Sequence, residues 1–292
     1  MLLKDAYKDA NRPVFSFEFF LPKTPEGFEK FKETVHDLKT LHPSFLTLTY
    51  GAMGTSREKT LETSGWMKKA SGVETVAHLT CIAHSRPEIE RIVETLRSYG
   101  IENIMALRGD PPLDGSALPL EKRDYKYAVD LVRHLKRLGN FSIGVAGYPE
   151  GHLEAASKEA DLRHLHAKVQ AGADAVFTQL FFNNADYFLF AAEARKSGIE
   201  VPIVPGIMPI RSFKQIQKFT SMCGAKLPRE LVALLEPIRD DDEAVAQAGI
   251  GYALRQCREL LAGGAPGIHF YTLNQSRASL AVCSELQREL SR

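Results

Sequence analysis

Cysteine is scarce and never clustered in this chain. Cys81, Cys223, Cys257 and Cys283 stand far apart with no Cys-x-x-Cys pair, which excludes a disulfide framework or a structural zinc site as the source of stability. All four read as reduced, mostly buried thiols. No run of about 18 apolar residues occurs, and Met1-Leu2-Leu3-Lys4-Asp5-Ala6 carries no apolar stretch of signal-peptide length, so a membrane span and a secretory leader are both unexpected and a cytoplasmic location is expected. Excess charge of either sign is missing too. Lys plus Arg (37) balances Asp plus Glu (36), which argues against nucleic acid or an anionic membrane as partner and for a small-molecule substrate. The chain also lacks a GxGxxG turn after any early strand, a GxxxxGK[ST] loop, and any Pro/Gly/Ser-rich linker that would divide it.

What is present is a repeat. The 292 residues, 44% of them hydrophobic, suffice for one large barrel or two smaller domains. Eight short β-branched or apolar runs read as strands: Val14 to Phe20, Phe45 to Tyr50, Thr75 to Cys81, Asn103 to Leu107, Ser142 to Ala146, Ala175 to Leu180, Pro202 to Pro205 and Gly267 to Tyr271. Between them lie helical patterns such as Pro25 to Leu41, Pro87 to Tyr99, Tyr125 to Leu138, Glu154 to Ala171 and Asn184 to Ser197. Gly72, Gly100, Gly139, Gly172 and Gly198 stand where helices should stop. The interval from Gly206 to Gly267 is longer than one helix needs, so an extra helix before the last strand is expected. Asp240-Asp241-Asp242-Glu243 reads as a helix N-terminus, not a metal site. The expected fold class is α/β, a single (β/α)8 TIM barrel spanning residues 1–292, with a doubly wound sheet as runner-up.

Phe15-Ser16-Phe17-Glu18-Phe19-Phe20 plants a carboxylate in an aromatic strand, where an unpaired charge costs several kcal/mol. Period-two alternation puts Val14, Ser16, Glu18 and Phe20 on one face and Phe15, Phe17 and Phe19 on the other. In a parallel barrel the active site lies at the C-terminal strand ends. Those ends carry Glu18, Thr47, Thr49, Tyr50, His78, Thr80, Arg108-Gly109-Asp110, Tyr148-Pro149-Glu150, Gln179 and Tyr271-Thr272-Leu273-Asn274. Burying so many polar groups for structure alone would be costly. Arg108 suits an anionic group such as a phosphate, and Gly109 permits close approach of a ligand. Asp161, His164 and Lys168 fall at i, i+3 and i+7 of one helix, a polar face able to reach the rim. His164-x-His166 diverges on a helix and lacks a third ligand, so no metal is expected.

Phe17-Glu18-Phe19-Phe20, Thr49-Tyr50-Gly51-Ala52, His78-Leu79-Thr80-Cys81, Ala106-Leu107-Arg108-Gly109-Asp110, Tyr148-Pro149-Glu150, Thr178-Gln179 and His269-Phe270-Tyr271-Thr272-Leu273-Asn274 resemble, in order, 5,10-methylenetetrahydrofolate reductase. The resemblance runs from about Val14 to Glu285 and implies a FAD-dependent (β/α)8 barrel of one-carbon metabolism. It implies that NADH or NADPH reduces the flavin and leaves, and that methylenetetrahydrofolate is then reduced to methyltetrahydrofolate. Carried over by position, Glu18 matches the general acid, and Asp110 faces both flavin and pterin. Thr49, Tyr50, Ala52, His78, Arg108, Gly109, Tyr127, Ala128, Tyr148, His152, Ala155, Asp161, His164 and Lys168 match FAD contacts. Gln179, Gln215, Phe219 and Tyr271 match the substrate side. To act as an acid near pH 7, Glu18 needs a pKa roughly two units above the ~4.3 of a free Glu, about 3 kcal/mol of differential environment. Phe17, Phe19 and Phe20 are the expected source of that desolvation.

Three positions depart from the family pattern. His164 stands for an Asn, Leu21 for a Pro, and Gln275 for an Arg directed at the folate tail, with Arg277 as the candidate replacement. The chain's end at Arg292 leads us to expect no C-terminal regulatory domain and no control by adenosylmethionine. Two other classes share the fold: a lyase or aldolase, expected to carry a Schiff-base Lys or a metal set, and a folate- or flavin-binding subunit that takes electrons from a partner. The donor nicotinamide, the physiological direction and the oligomeric state, a homo-oligomer included, stay open at this level.

Overall fold

Alternation in Val14–Phe19 (β1) sends Phe15, Phe17 and Phe19 outward, where all three are buried beneath helices, and turns Val14, Ser16 and Glu18 inward. The computed structural model that shows this describes residues 1–9, 12–50, 55–110 and 119–291. A short helix, α1 (Leu3–Ala6), precedes β1. The strands that follow are β2 (Phe45–Leu48), β3 (Glu74–Thr80), β4 (Asn103–Leu107), β5 (Ser142–Gly147), β6 (Ala175–Thr178), β7 (Ile203–Val204), β8 (Gly206–Ile207) and β9 (Gly267–Tyr271). All pair in parallel in the order β7-β6-β5-β4-β3-β2-β1-β9-β8.

The outer ring is α2 (Pro25–Lys39), α3 (Thr55–Ser71), α4 (Arg86–Ser98), α5 (Ala128–Leu138), α6 (Lys158–Gln170), α7 (Asn184–Lys196), α8 (Phe213–Cys223), α9 (Arg229–Leu235), α10 (Asp242–Ala262) and α11 (Arg277–Leu290). The five expected stop glycines each follow a helix end, and α8 and α9 are the extra elements before the last strand. Asp241 caps α10 by accepting from the Glu243 and Ala244 amides at 3.1 Å, which confirms the acidic run as a helix start. Two helices begin later than their sequence patterns: α6 starts at Lys158 under a Ser157 cap, leaving Glu154 in a loop, and α5 starts at Ala128.

The seventh strand corrects the sequence reading. In place of one strand from Pro202 to Pro205, two short segments flank Pro205, which has no N–H to give a ladder. β7 pairs with β6 and β8 with β9, so the sheet's two ends are consecutive pieces of one bent segment and the barrel closes through it. Pro205 contributes its carbonyl, which accepts from the His269 amide at 3.0 Å. β1, β2, β3 and β6 stop one or two residues early, so Thr49, Tyr50 and Gln179 lie just past their strand ends.

The largest apolar cluster lies between sheet and helices, and Phe17 stacks on Phe270 across β1 and β9 with centroids 5.5 Å apart. Inside the barrel, Leu3, Val14, Phe45, Val76, Met105, Ala175, Phe177 and Val204 fill the lower layers. Leu3 comes from α1, which plugs the N-terminal end: the Leu3 and Lys4 amides donate to Asn103 Oδ1 and Ser142 Oγ at 2.6 and 2.8 Å. The apolar floor leaves the opposite, C-terminal mouth as the open end.

Candidate active site

Glu18 sits at the top of the barrel interior, its side chain 17% exposed. Its Oε2 lies 3.2 Å from His269 Nε2 and 3.3 Å from His78 Nε2, and Thr47 Oγ1 donates to it at 3.5 Å. The β1–β9 register sets this up, because Ser16 pairs with His269 and Glu18 with Tyr271, placing the imidazole one layer below the carboxylate. The strand end is pinned from β9: Thr272 Oγ1 donates to the Glu18 carbonyl at 2.7 Å, while Asn274 accepts from the Phe20 amide and donates to the Phe20 carbonyl. These bonds account for two of the rim polar groups as structural.

The titration of Glu18 runs opposite to the sequence expectation. Burial pushes its pKa up, but the two imidazoles outweigh burial and hold the carboxyl at about 2. The phenylalanines do not supply the desolvation expected of them, since Phe17 and Phe19 face the helices and Phe20 is 41% exposed. Ligand-free, Glu18 is a carboxylate with imidazole partners.

Three cavities open at this mouth. The first, about 430 Å³, is lined by Glu18, Thr49, Tyr50, His78, Thr80 and Arg108 through Asp110, with Gln179 and Tyr271 across from them. The second, about 680 Å³, shares Glu18, Asp110, Gln179 and Tyr271 with the first and adds Phe219, Met208 and Leu273. The third, about 290 Å³, continues from the first through Leu107, Arg108, Ala146, Tyr148 and His152 out to α6. Two glycines make these spaces. Gly109 has φ +84° and a Cβ there would stand 2.8 Å from Thr80 Cβ. Gly206 leaves room for the Tyr271 ring, whose hydroxyl donates to the Thr178 carbonyl at 2.6 Å.

At the outer cavity the Asp161 carboxylate accepts from the His152 amide at 3.1 Å, and Lys168 Nζ donates to the Ala146 carbonyl at 2.6 Å. Burial lowers the Lys168 pKa to about 8, with Asp161 opposing the shift. Between the inner and outer cavities, Arg108 makes a two-pronged pair with Glu154, Nη1 to Oε2 at 2.5 Å and Nη2 to Oε1 at 2.9 Å. A cation at the junction and a second at the outer end suit a long ligand that carries anionic groups in its middle and a flat ring at the barrel axis.

The family model for methylenetetrahydrofolate reductase matches residues 3–287. The chain belongs to this family. It is 39% identical to the 5,10-methylenetetrahydrofolate reductase of Escherichia coli (strain K12), over 93% of this chain and 90% of that one. It is 41% identical to methylenetetrahydrofolate reductase (NADH) 1 of Arabidopsis thaliana over 95% of its own length but only 49% of the plant protein. The chain thus spans about half the length of the plant relatives it matches. Among solved structures, an uncharacterized protein from Clostridium thermocellum that binds two copies of 5-methyl-5,6,7,8-tetrahydrofolic acid superposes with a TM-score of 0.70 at 16% identity, covering 99% of this chain and 100% of that one. A dihydropteroate synthase from Xanthomonas albilineans follows at 0.51 and 12% identity, covering 97% and 95%. Both likenesses are of fold.

Most of the residues singled out in the sequence line the three cavities. Glu18, Thr49, Tyr50, His78, Arg108, Gly109, Asp110, Tyr148, His152, Gln179 and Tyr271 line the inner cavity; Tyr127, Ala128, Ala155, Asp161, His164 and Lys168 line the outer one; Phe219 lines the second. Gln215 is in none of these walls and accepts a hydrogen bond from Arg211 Nη2 at 3.3 Å. Ala52, with the adjoining Gly51, and Pro111-Pro112 lie outside the described residues. Arg277, the candidate replacement for the missing folate-tail arginine, pairs with Glu243 through both Nη atoms on the exposed surface.

Sequence reasoning missed four side chains. His84 lines the inner cavity and bonds the Tyr50 hydroxyl through Nε2 at 3.0 Å, and Arg57 beside it donates to the Ala83 carbonyl at 3.2 Å. Burial and Arg57 lower the His84 pKa to about 4, so this ring is neutral. Glu154 carried no signal before its partner was known. His269 was legible by parity, since it shares the inward face with Tyr271 two residues on and pairs with Ser16 two before Glu18.

Proposed function

We propose that the chain reduces 5,10-methylenetetrahydrofolate to 5-methyltetrahydrofolate in two alternating half-reactions with FAD as resident cofactor and NADH or NADPH as donor. The observation that carries this reading is that the inner and second cavities meet at Glu18, Asp110, Gln179 and Tyr271, so a flat cofactor and a substrate can share one set of polar groups. Family membership supplies the reaction class, and the folate bound by the Clostridium thermocellum neighbour agrees with the substrate class.

The donor set fits FAD. Lys168 and Arg108 supply cations for the pyrophosphate, the alanines at 106, 128, 155 and 167 give a flat apolar wall at the outer end, and Gly109 admits a ring close to the backbone. When bound, the flavin supplies hydride chemistry that no side chain here can perform. Thr49, Tyr50, His78 and Asp110 orient the ring, while Tyr127, Ala128, Tyr148, His152, Ala155, Asp161 and His164 hold the rest of the molecule. Gln179, Phe219 and Tyr271 position the pterin and its aromatic neighbour, with Gln215 one helical turn before Phe219. Glu18 delivers the proton that the substrate nitrogen gains as the methylene bridge opens. The barrel over residues 1–292 is the proposed catalytic unit, acting without nucleic acid or membrane.

The test is a pair of anaerobic half-reactions on protein loaded with FAD. NADH or NADPH should bleach the flavin band near about 450 nm, and methylenetetrahydrofolate should restore it. Glu18→Gln should keep the bleaching and lose the restoration by about 10²-fold or more. A protein that cannot be loaded with FAD, or a variant that loses both half-reactions alike, overturns the reading.

A further inference from the structure

Glu18 has two imidazole neighbours at nearly equal distance, but they are not equivalent. His78 Nε2 lies 3.3 Å from Oε2 without forming a hydrogen bond, and its ring lines the inner cavity. His269 Nε2 forms the aligned bond at 3.2 Å, and its other nitrogen, Nδ1, lies 2.8 Å from Ser16 Oγ. His269 and Ser16 are fully buried, and the ring is held by Phe45, Phe177 and Tyr271 at centroid distances of 6.4, 5.1 and 5.4 Å. Both nitrogens of this one ring are therefore spoken for, one by a hydroxyl and one by a carboxylate.

The hydrogen-bond inventory of these groups restricts where a proton can be. Toward a single partner a hydroxyl either donates or accepts, a carboxylate only accepts, and a neutral imidazole carries one N–H. Add one proton to the neutral ring and carboxylate, and two arrangements keep Nδ1–H donating to Ser16 Oγ. In one, Nε2–H faces the Glu18 carboxylate; in the other, the proton has crossed to Oε2 and Glu18 donates to a neutral ring. They differ by one proton moved across 3.2 Å along a bond already aligned.

We propose that His269 is the positioning residue that stores the proton Glu18 delivers, with Ser16 fixing the ring so that Nε2 always faces the carboxylate. The proposal rests on the reductase reading above and deepens it. The steps balance: the Nε2–H bond breaks as the Oε2–H bond forms, then Oε2–H breaks as the substrate nitrogen gains a proton and takes the electron pair of the opening C–N bond. Neutral His269 and ionised Glu18 remain, and the pair recovers one proton from solvent when the site reopens. The lowered pKa of ligand-free Glu18 agrees with a proton kept on its partner.

Among the described residues, the other titratable groups that line the cavity with Glu18 are Tyr50, Arg57, His78, His84, Arg108, Asp110, Tyr148, His152 and Tyr271. Burial raises Tyr148 to about 12 and Tyr271 well above its usual value, so neither phenol titrates in the neutral range.

The test uses His269→Gln, whose amide can donate to Glu18 but cannot release a proton, in FAD-loaded protein. Flavin reduction by the nicotinamide should stay within about threefold, methylenetetrahydrofolate reduction at pH 7 should fall about 10²-fold, and its rate should now decline with rising pH from a lower pH than in the wild type. A slower rate with the wild-type pH profile indicates a merely structural ring and overturns the proposal. So does loss of the profile in His78→Gln instead. A second readout needs no activity: in ligand-free protein, Glu18→Gln should lower the midpoint of the His269 ring titration, followed by ¹⁵N NMR, by about one pH unit or more. An unmoved midpoint overturns the coupling. Absence of any methylenetetrahydrofolate reduction in the wild type, with the ring titration still coupled, would instead sink the reductase reading.

Discussion

Lys168 shows how one half-buried group ties cofactor binding to pH. Burial depresses its pKa to about 8, so between about pH 8 and the ~10.4 of a free lysine the unfolded chain binds a proton that the native, ligand-free protein does not. In that window stability rises with pH, and below it the native state bears the cost of a charged, desolvated amine. A phosphate beside Nζ would restore the charge, so FAD binding should take up a proton above about pH 8 and weaken by up to tenfold per pH unit. Titrating flavin fluorescence from pH 7 to 9.5 should show a flat region and then this decline; Lys168→Gln should bind more weakly and without the break. Glu154 acts in the opposite sense. Its side chain is 57% exposed, so the pair with Arg108 adds little to stability. Glu154→Gln should leave the melting temperature within about 1 °C and strengthen flavin binding severalfold, because it frees Arg108 for the pyrophosphate. A weaker-binding variant would mean that Glu154 itself contacts the cofactor.

At the scale of elements, what could be read in advance follows from period and length. β1 to β6 and β9 show alternation or continuous apolar character over four to seven residues, and the helices between them end at glycines, so their order and number were legible. Of the seventh, the first piece (Ile203–Val204) fell inside the expected strand, but the second (Gly206–Ile207) was not legible, because Pro205 splits the segment into pieces too short to carry a period. α1 escaped for the same reason, being four residues long. Its value lies in burial, with Leu3 fully enclosed in the barrel floor. Leu3→Ala should therefore cost about 2–5 kcal/mol in urea unfolding. A loss below about 1 kcal/mol would show that α1 is dispensable. The site was legible as a set of rim residues because position on a strand fixes which end and face a side chain takes. The charge state of Glu18 was not, because it depends on His78 and His269, which are 60 and 251 positions away in sequence and meet it only through the closed sheet.

Closure gives the whole molecule a second property, because every wall of the trough belongs to a different βα unit. The inner cavity takes residues from β1, β3, β4, β5, β6 and β9 and from the segments after β2 to β6, so a ligand seated there bridges most of the barrel and binds only when those units are assembled. A ligand that binds the native state alone stabilises it by about 2.7 kcal/mol at a hundredfold excess over Kd. For a domain of this size each kcal/mol raises the melting temperature by about 2–4 °C, so saturating FAD should shift it by about 5–10 °C. Glu18→Gln should keep that shift, since the carboxylate serves the substrate's proton and not the flavin's grip, whereas Gly109→Ala should lose most of it, because its Cβ would press against Thr80 at 2.8 Å from a backbone at φ +84°. Equal shifts in all three proteins would place the cofactor elsewhere. A shift lost in Glu18→Gln but kept in Gly109→Ala would invert the assignment of the two sides of the mouth.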